Sequence, residues 1–195
     1  MISGRKLILA SASPRRAEIL RTAGWQFEAL PADIDESRFA GEDAVTYVER
    51  VARAKAEGAA LRVPGSTILG ADTVVVIENE ILGKPHDDED ARRMLRLLRD
   101  RWHQVLTGVA LINGEAASAK VAHEVTEVRF AAMSEDEIGW YVATGEPRDK
   151  AGAYAIQGQG ARFIKEIRGD YFNIVGLPVR LLYELVGTDG GPIRT

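Results

Sequence analysis

Thr67-Ile68-Leu69-Gly70-Ala71-Asp72-Thr73-Val74-Val75-Val76-Ile77 decides the fold. The run is apolar on both faces, so it reads as a central strand covered on either side. One carboxylate, Asp72, interrupts it, and a carboxylate in such a strand requires a partner. Glu78-Asn79-Glu80 reads as a reversal into Ile81-Leu82. Upstream, Pro64-Gly65 ends a long helix spanning about Ala44 to Leu61, itself preceded by an acidic loop from Pro31 to Asp43. At the front of the chain, Lys6 to Ala10 is a short apolar strand turning into a helix. There Ser13 is the expected N-cap, Pro14 the first helical residue and Gly24 the stop, with Phe27 to Leu30 as a second strand.

Downstream, Asp87 to Arg99 is an amphipathic helix buried through Met94, Leu95 and Leu98. Strands are expected at Gln104 to Ile112 and Ala119 to Ala131. Helices are expected from Ser134 to about Val142 and from Pro178 to Val186, separated by a glycine-rich stretch from Thr144 to Gly176. The order is mixed α and β around one sheet.

The 195 residues make about one domain, expected to span 1–195 with a frayed tail at 187–195. With 25 Lys and Arg against 29 Asp and Glu, the net charge of −4 argues against a protein that holds nucleic acid by bulk attraction. No apolar run approaches the roughly 20 residues of a membrane-spanning helix. The absence of cysteine excludes disulfides, thiol nucleophiles and thiolate metal sites. Leu7 to Ala10 is too short for the apolar core of a secretion signal, so a cytoplasmic protein without membrane attachment is expected.

Familiar nucleotide motifs are missing. Gly83-Lys84 is followed by Pro85 and lacks the first glycine of a P-loop, and Phe163 stands where a dinucleotide fingerprint would carry its third glycine. His86, His103 and His123 match no metal-ligand spacing and read as structural or surface residues.

Chemistry gathers elsewhere. Arg15 and Arg16 occupy the first turn of a helix, where the macrodipole disfavours cations unless an anion is bound; two solvated arginines are the plain alternative. Helical phase sets Lys55 among Val45, Val48, Val51, Ala52 and Ala59, so it points inward and either snorkels to water or meets an anion. Asp72 is either a structural partner of Lys55 or Lys84, or a metal and water ligand, with Gly70 and Ala71 leaving room for a ligand beside it. Lys84 in its rigid Gly-Lys-Pro turn and Glu36 in the acidic loop read individually as surface charges. Together with Asp72 they have the composition of a magnesium-assisted triphosphate site. Gln157 can donate and accept, so it can read a pyrimidine edge; alternatively it ties its glycine-rich loop together.

Ser11-Ala12-Ser13-Pro14-Arg15-Arg16, Gly70-Ala71-Asp72-Thr73, Gly83-Lys84-Pro85 and Asp149-Lys150-Ala151-Gly152-Ala153-Tyr154-Ala155-Ile156-Gln157-Gly158 resemble the Maf family of nucleoside triphosphate pyrophosphatases, in order from about Leu7 to Leu185. Their detailed forms are similar to the branch acting on dTTP and UTP. The resemblance implies an elongated α/β mixed-sheet fold with a central cleft, inosine triphosphatase-like, commonly a homodimer. It implies hydrolysis between the α and β phosphates with a divalent cation, Mg²⁺ or else Mn²⁺. By that resemblance Asp72 accepts the proton of the attacking water, and Arg15, Thr73 and Gln157 govern the base. Arg16, Lys55 and Lys84 surround the triphosphate, Ser11 belongs to the same loop, and Glu36 joins Asp72 at the metal. The competing expectations are 7-methyl-GTP or modified pyrimidine nucleotides as substrate, or a non-catalytic nucleotide-binding regulator of division and septum formation.

Overall fold

In the computed structural model, which describes residues 7–113 and 119–187, the chain runs β1 (Leu7–Leu9), α1 (Pro14–Thr22), β2 (Phe27–Ala29), α2 (Ala44–Ala60), β3 (Thr67–Ile77), β4 (Glu80–Leu82), α3 (Asp88–Leu98), β5 (Trp102–Asn113), β6 (Ala119–Phe130), α4 (Glu135–Ala143), β7 (Ile164–Arg168), α5 (Tyr171–Val175) and α6 (Val179–Val186). Three 3-10 turns, Glu146–Asp149, Ala151–Ala153 and Gln159–Phe163, fill the glycine-rich stretch before β7. Among the described residues seven strands pair in the order β2-β1-β3-β5-β6-β7, with β4 on β3. The sheet is mixed: β1 is parallel to β2 and to β3, while β4 runs antiparallel to β3 and β7 antiparallel to β6. The doubly apolar run is thus an interior strand, as its composition requires.

Local chemistry sets the boundaries. Glu78 and Asn79, both at positive φ, reverse the chain between β3 and β4. Asp43 and Asp87 cap α2 and α3 by accepting the N–H groups of Thr46 and Asp90. Ser134 and Glu137 form a reciprocal capping box on α4. Ser13 holds the N-cap position of α1, but its side chain makes no cap; instead its N–H donates to the Ser11 hydroxyl at 3.2 Å. Gly24, at φ 77°, follows the end of α1 as expected. Lys6 and the tail beyond Gly187 lie outside the described residues. Among the described residues no helix is long and apolar enough to cross a membrane.

The chain divides into two compact units. The first comprises Met1–Asp72, Thr107–Glu124 and Gly176–Thr195, and the second Thr73–Leu106 and Val125–Val175. The first has a core of small and branched residues, among them Ile8, Ala52, Ala56, Ile68 and Ala110. The second is built on larger side chains, including Leu95, Leu98, Phe130, Ile138 and Tyr141. Within it His103 packs edge-on against Phe130 and Tyr154, its Nε2 lying 2.8 Å from the Tyr154 hydroxyl. Burial pushes the His103 imidazole down to about 3, so at neutral pH it is an uncharged core group.

One packing constraint places the functional residues. A Cβ on Gly70 of β3 would stand 2.1 Å from the Ala52 carbonyl oxygen, and one on Gly108 of β5 would stand 2.3 Å from that of Val48. Val48 and Ala52 are one turn apart on α2, so this helix rests its backbone directly on two glycines of neighbouring strands. The room at Gly70 is therefore filled by α2 and not by a ligand, contrary to the sequence expectation.

Overpacking of this kind costs about 1 to 3 kcal/mol, more where backbone must move. Gly70→Ala is therefore expected to lower the thermal midpoint by roughly 5 °C or more. Gly83→Ala, with open space around its Cβ, is expected to leave the midpoint unchanged. Equal melting curves for parent and Gly70→Ala would contradict the close helix approach.

Candidate active site

Strand and helix periodicities explain how Asp72 acquires its partner. Asp72 is two residues beyond Gly70 and so emerges on the same face of β3, while Lys55 is three residues beyond Ala52 on the face of α2 that rests there. The Lys55 Nζ donates to Asp72 Oδ1 at 2.7 Å, with both residues 8% exposed. Glu36 Oε1 lies 3.0 Å from the same ammonium, its side chain half exposed. Lys55 thus meets anions instead of snorkelling, and of the two partners considered for Asp72 the structure supplies Lys55.

Two residues that sequence reasoning missed hold the Glu36 loop. The Tyr47 hydroxyl donates to the Glu36 carbonyl at 2.9 Å, and Arg50 Nη2 donates to the Ser37 carbonyl at 2.9 Å. Arg50 also grips Glu42 through both Nε and Nη2, and its guanidinium lies over the Phe39 ring at 4.1 Å. Burial, together with the nearby charges of Asp72 and Glu36, pushes the Tyr47 phenol up to about 12, so it remains a neutral donor. The available signal was phase: Tyr47 precedes Lys55 by eight residues and therefore shares its stripe on α2.

The β1–α1 loop supplies an anion cradle in the same unit. Arg16 is 8% exposed, so the reading of two solvated arginines fails for it. Its Nε donates to the Gly176 carbonyl at 2.8 Å and its Nη1 to the Ser11 hydroxyl at 3.0 Å. Burial lowers the Arg16 pKa, the neighbouring Arg15 lowers it further, and the charges of Asp72 and Glu36 act against both; the group stays cationic. Ser11 Oγ accepts from Arg16 and from the Ser13 N–H, which leaves its own proton to give. The first turn of α1 contains no acidic residue, and Arg15 there is half-buried. Cation, hydroxyl and helix-end N–H groups are a donor set for phosphate oxygens.

Thr73, Lys84 and Gln157 belong to the second unit. Thr73, half-buried, follows Asp72 in β3 and points to the opposite face. Lys84 is exposed in its turn, which is tied down by the Gly152 N–H donating to the Gly83 carbonyl at 3.0 Å. Gly152 has φ 66°, and a Cβ there would stand 2.8 Å from Val75, so that tether requires glycine. The Gln157 side chain is exposed and makes no hydrogen bond among the described residues, so it does not tie its loop together. The glycines beside it answer to Glu146 and Tyr141: a Cβ on Gly158 would lie 2.6 Å from Glu146 Oε2, and one on Gly160 2.5 Å from the Tyr141 hydroxyl.

Two carboxylates converging on one ammonium offer hard oxygen ligands of the number Mg²⁺ usually takes from a protein when phosphate and water complete its shell. Asp72 and Glu36 fit that requirement. Among the described residues no three His, Asp or Glu side chains gather into a metal cage. His123 is paired with Glu49 at 2.7 Å, and His86 is exposed.

A family model described as Maf-like protein matches residues 6–188. A dTTP/UTP pyrophosphatase of Symbiobacterium thermophilum is 50% identical over 191 residues, covering 98% of this chain and 97% of the relative. Proteins of the same name are 50% identical over 190 residues in Anaeromyxobacter dehalogenans strain 2CP-C and 46% identical over 187 residues in Koribacter versatilis, each covering 96% of both chains. Among solved structures, the Staphylococcus aureus Ham1 protein superposes with a TM-score of 0.56 at 17% identity, over 96% of this chain and 100% of that one; this likeness concerns the fold alone.

Removing one partner of a buried ion pair is more damaging than removing both. Lys55→Met is expected to lower stability by roughly 3 kcal/mol in urea denaturation, and adding Asp72→Asn is expected to recover at least half of the loss. A Lys55→Met protein as stable as its parent would mean that this pair is not desolvated.

Proposed function

Given that the chain belongs to the Maf family, we propose that it hydrolyses dTTP and UTP to the nucleoside monophosphate and pyrophosphate. The observation that carries this reading is the buried Lys55–Asp72 pair with Glu36 on the same ammonium, beside the Ser11–Arg16 anion cradle in one unit. The relatives of about 50% identity, through their name, support the choice of pyrimidine substrates.

Ser11, Arg16 and the first turn of α1 bind triphosphate oxygens, the guanidinium and hydroxyl donating and the helix end adding its positive potential. Lys55 donates to Oδ1 of Asp72, so Oδ2 is the oxygen left to align a water and take its proton. As that water's oxygen bonds to the α phosphorus, the bond to the bridging oxygen breaks, and pyrophosphate carries the electron pair away. Arg16 and Lys84 stabilise the charge that develops on this leaving group, Lys55 balances the charge at the α phosphate, and Arg15, Thr73 and Gln157 select the base. Mg²⁺, or Mn²⁺ in its place, held by Asp72 and Glu36, would supply charge neutralisation and a water of lowered pKa. A carboxylate is a weak base at neutral pH, so Asp72 contributes as much by orienting water as by taking its proton. A homodimer working in the cytoplasm completes the proposal, resting on the family resemblance and the absence of cysteine.

The test is pyrophosphate release from dTTP, UTP, CTP, ATP and 7-methyl-GTP with Mg²⁺, native chain against Asp72→Asn. Release from dTTP and UTP is expected, with kcat falling roughly 10²- to 10⁴-fold in the mutant while KM changes by only a few-fold. Release from 7-methyl-GTP alone would overturn the base assignment, and near-normal turnover by Asp72→Asn would overturn the mechanism.

A further inference from the structure

The loop Ala155-Ile156-Gln157-Gly158-Gln159-Gly160 exposes Gln157, Gly158 and Gln159, yet its backbone is held at both ends by one pair of side chains. Glu146 Oε2 accepts the Gln159 N–H and Oε1 the Gly160 N–H, each at 2.9 Å. The Tyr141 hydroxyl donates to the same Oε1 at 2.7 Å and accepts the Ala155 N–H at 3.1 Å. One phenol and one carboxylate therefore bracket the turn that carries Gln157. Gly158 takes φ 117°, where side chains are strained, and a Cβ on Gly160 would meet both the Tyr141 hydroxyl at 2.5 Å and the Ala155 carbonyl at 2.6 Å.

The pair is itself rigidly placed. Tyr141 is fully buried in α4 and lies edge-on to Phe163 at 5.6 Å. Its carbonyl accepts the Thr144 hydroxyl at 2.6 Å, and Thr144 Oγ1 accepts the Glu146 N–H at 3.2 Å, after Gly145 has turned the chain at φ 75°. Partial burial of Glu146 raises its pKa, but the two N–H groups, the phenol and the charge of Lys150 outweigh that, leaving it below the usual carboxylate range. An anionic acceptor taking three donors is a stronger anchor than neutral hydrogen bonds would be.

We infer that Glu146 and Tyr141 are positioning residues for base selection, fixing both flanks of the turn at 156–158 so that Gln157 is aimed at the pyrimidine edge. The inference rests on the reading of Gln157 as a base-selecting residue in the proposed reaction. A side chain that reads hydrogen-bond donors and acceptors discriminates only as well as its backbone is held. Neither Glu146 nor Tyr141 need touch the nucleotide.

The test uses the full chain with Tyr141→Phe, which keeps the ring but removes both hydroxyl bonds, and Glu146→Gln, which keeps the size but removes the charge. Residue-resolved amide exchange is measured together with the ratio of kcat/KM for UTP over CTP, and Gln157→Ala serves as comparison. Glu146→Gln is expected to exchange Gln159 and Gly160, and Tyr141→Phe to exchange Ala155, roughly ten-fold faster or more, and both to lose roughly ten-fold of the UTP preference, with kcat for UTP little changed. Gln157→Ala is expected to lose the same preference without faster exchange. Unchanged exchange in folded clamp variants would overturn the clamp, and faster exchange with intact UTP preference would overturn the positioning role. Full preference in Gln157→Ala would overturn the base-reading assignment and with it this inference, whatever the exchange rates. Should Tyr141→Phe fail to fold, Glu146→Gln carries the same comparison alone.

Discussion

An ammonium held at 2.7 Å from a strand carboxylate and 3.0 Å from a loop carboxylate is the interaction around which the first unit is arranged. Burying Lys55 or Asp72 as a charge carries a desolvation penalty, which their pairing offsets together with Glu36 on the same ammonium. Their meeting depends on α2 resting its backbone on Gly70 and Gly108, since a side chain at either glycine would lift the helix from the strands. Packing and chemistry are therefore the same requirement: the contact that closes this core also delivers the lysine to the aspartate.

The remaining features of the site serve this pair. Tyr47 and Arg50, on the same helix as Lys55, fasten the loop that brings Glu36 to the ammonium, so one helix sets two of the three charges. Arg16 reaches back to Ser11 and across to the Gly176 carbonyl, joining the two chain segments that flank the start of α1 and the start of α6. In the second unit the same logic holds with different parts, where Glu146 and Tyr141 fix a glycine-rich loop through its backbone and leave the Gln157 side chain to face solvent.

Much of this was legible in the chain because burial periodicity is written in the residue order. The doubly apolar run from Thr67 to Ile77 marked an interior strand, and the inward phase of Lys55 left it either snorkelling to water or meeting an anion, a choice that the structure decides with Asp72 and Glu36. Boundaries fell within a few residues wherever a cap or a turn announced them, as at Ser134 and at Glu78-Asn79. What stayed hidden were contacts between residues far apart in sequence. Nothing in a one-dimensional reading says that Gly70 is small for the sake of the Ala52 carbonyl and not for a ligand, or that the Ser11 hydroxyl would serve Ser13 and Arg16 together. Strand β7 and the 3-10 turns before it were also unreadable, because turns governed by positive φ and side-chain anchors leave no periodic signal.

In the proposed reaction Lys55, Asp72 and Glu36 act as one charge cluster that receives the triphosphate and its cation. A crystal structure with an α,β-imido analogue of dUTP and Mn²⁺, phased to reveal anomalous scattering, tests it most directly. An anomalous peak is expected within coordination distance of the Asp72 and Glu36 carboxylates, with the Lys55 ammonium still on Asp72 Oδ1 and giving a further N–H to a phosphate oxygen, and the phosphates against Ser11 and Arg16. Ordered nucleotide with no contact between Lys55 and a phosphate oxygen, and the metal bound elsewhere, would contradict it.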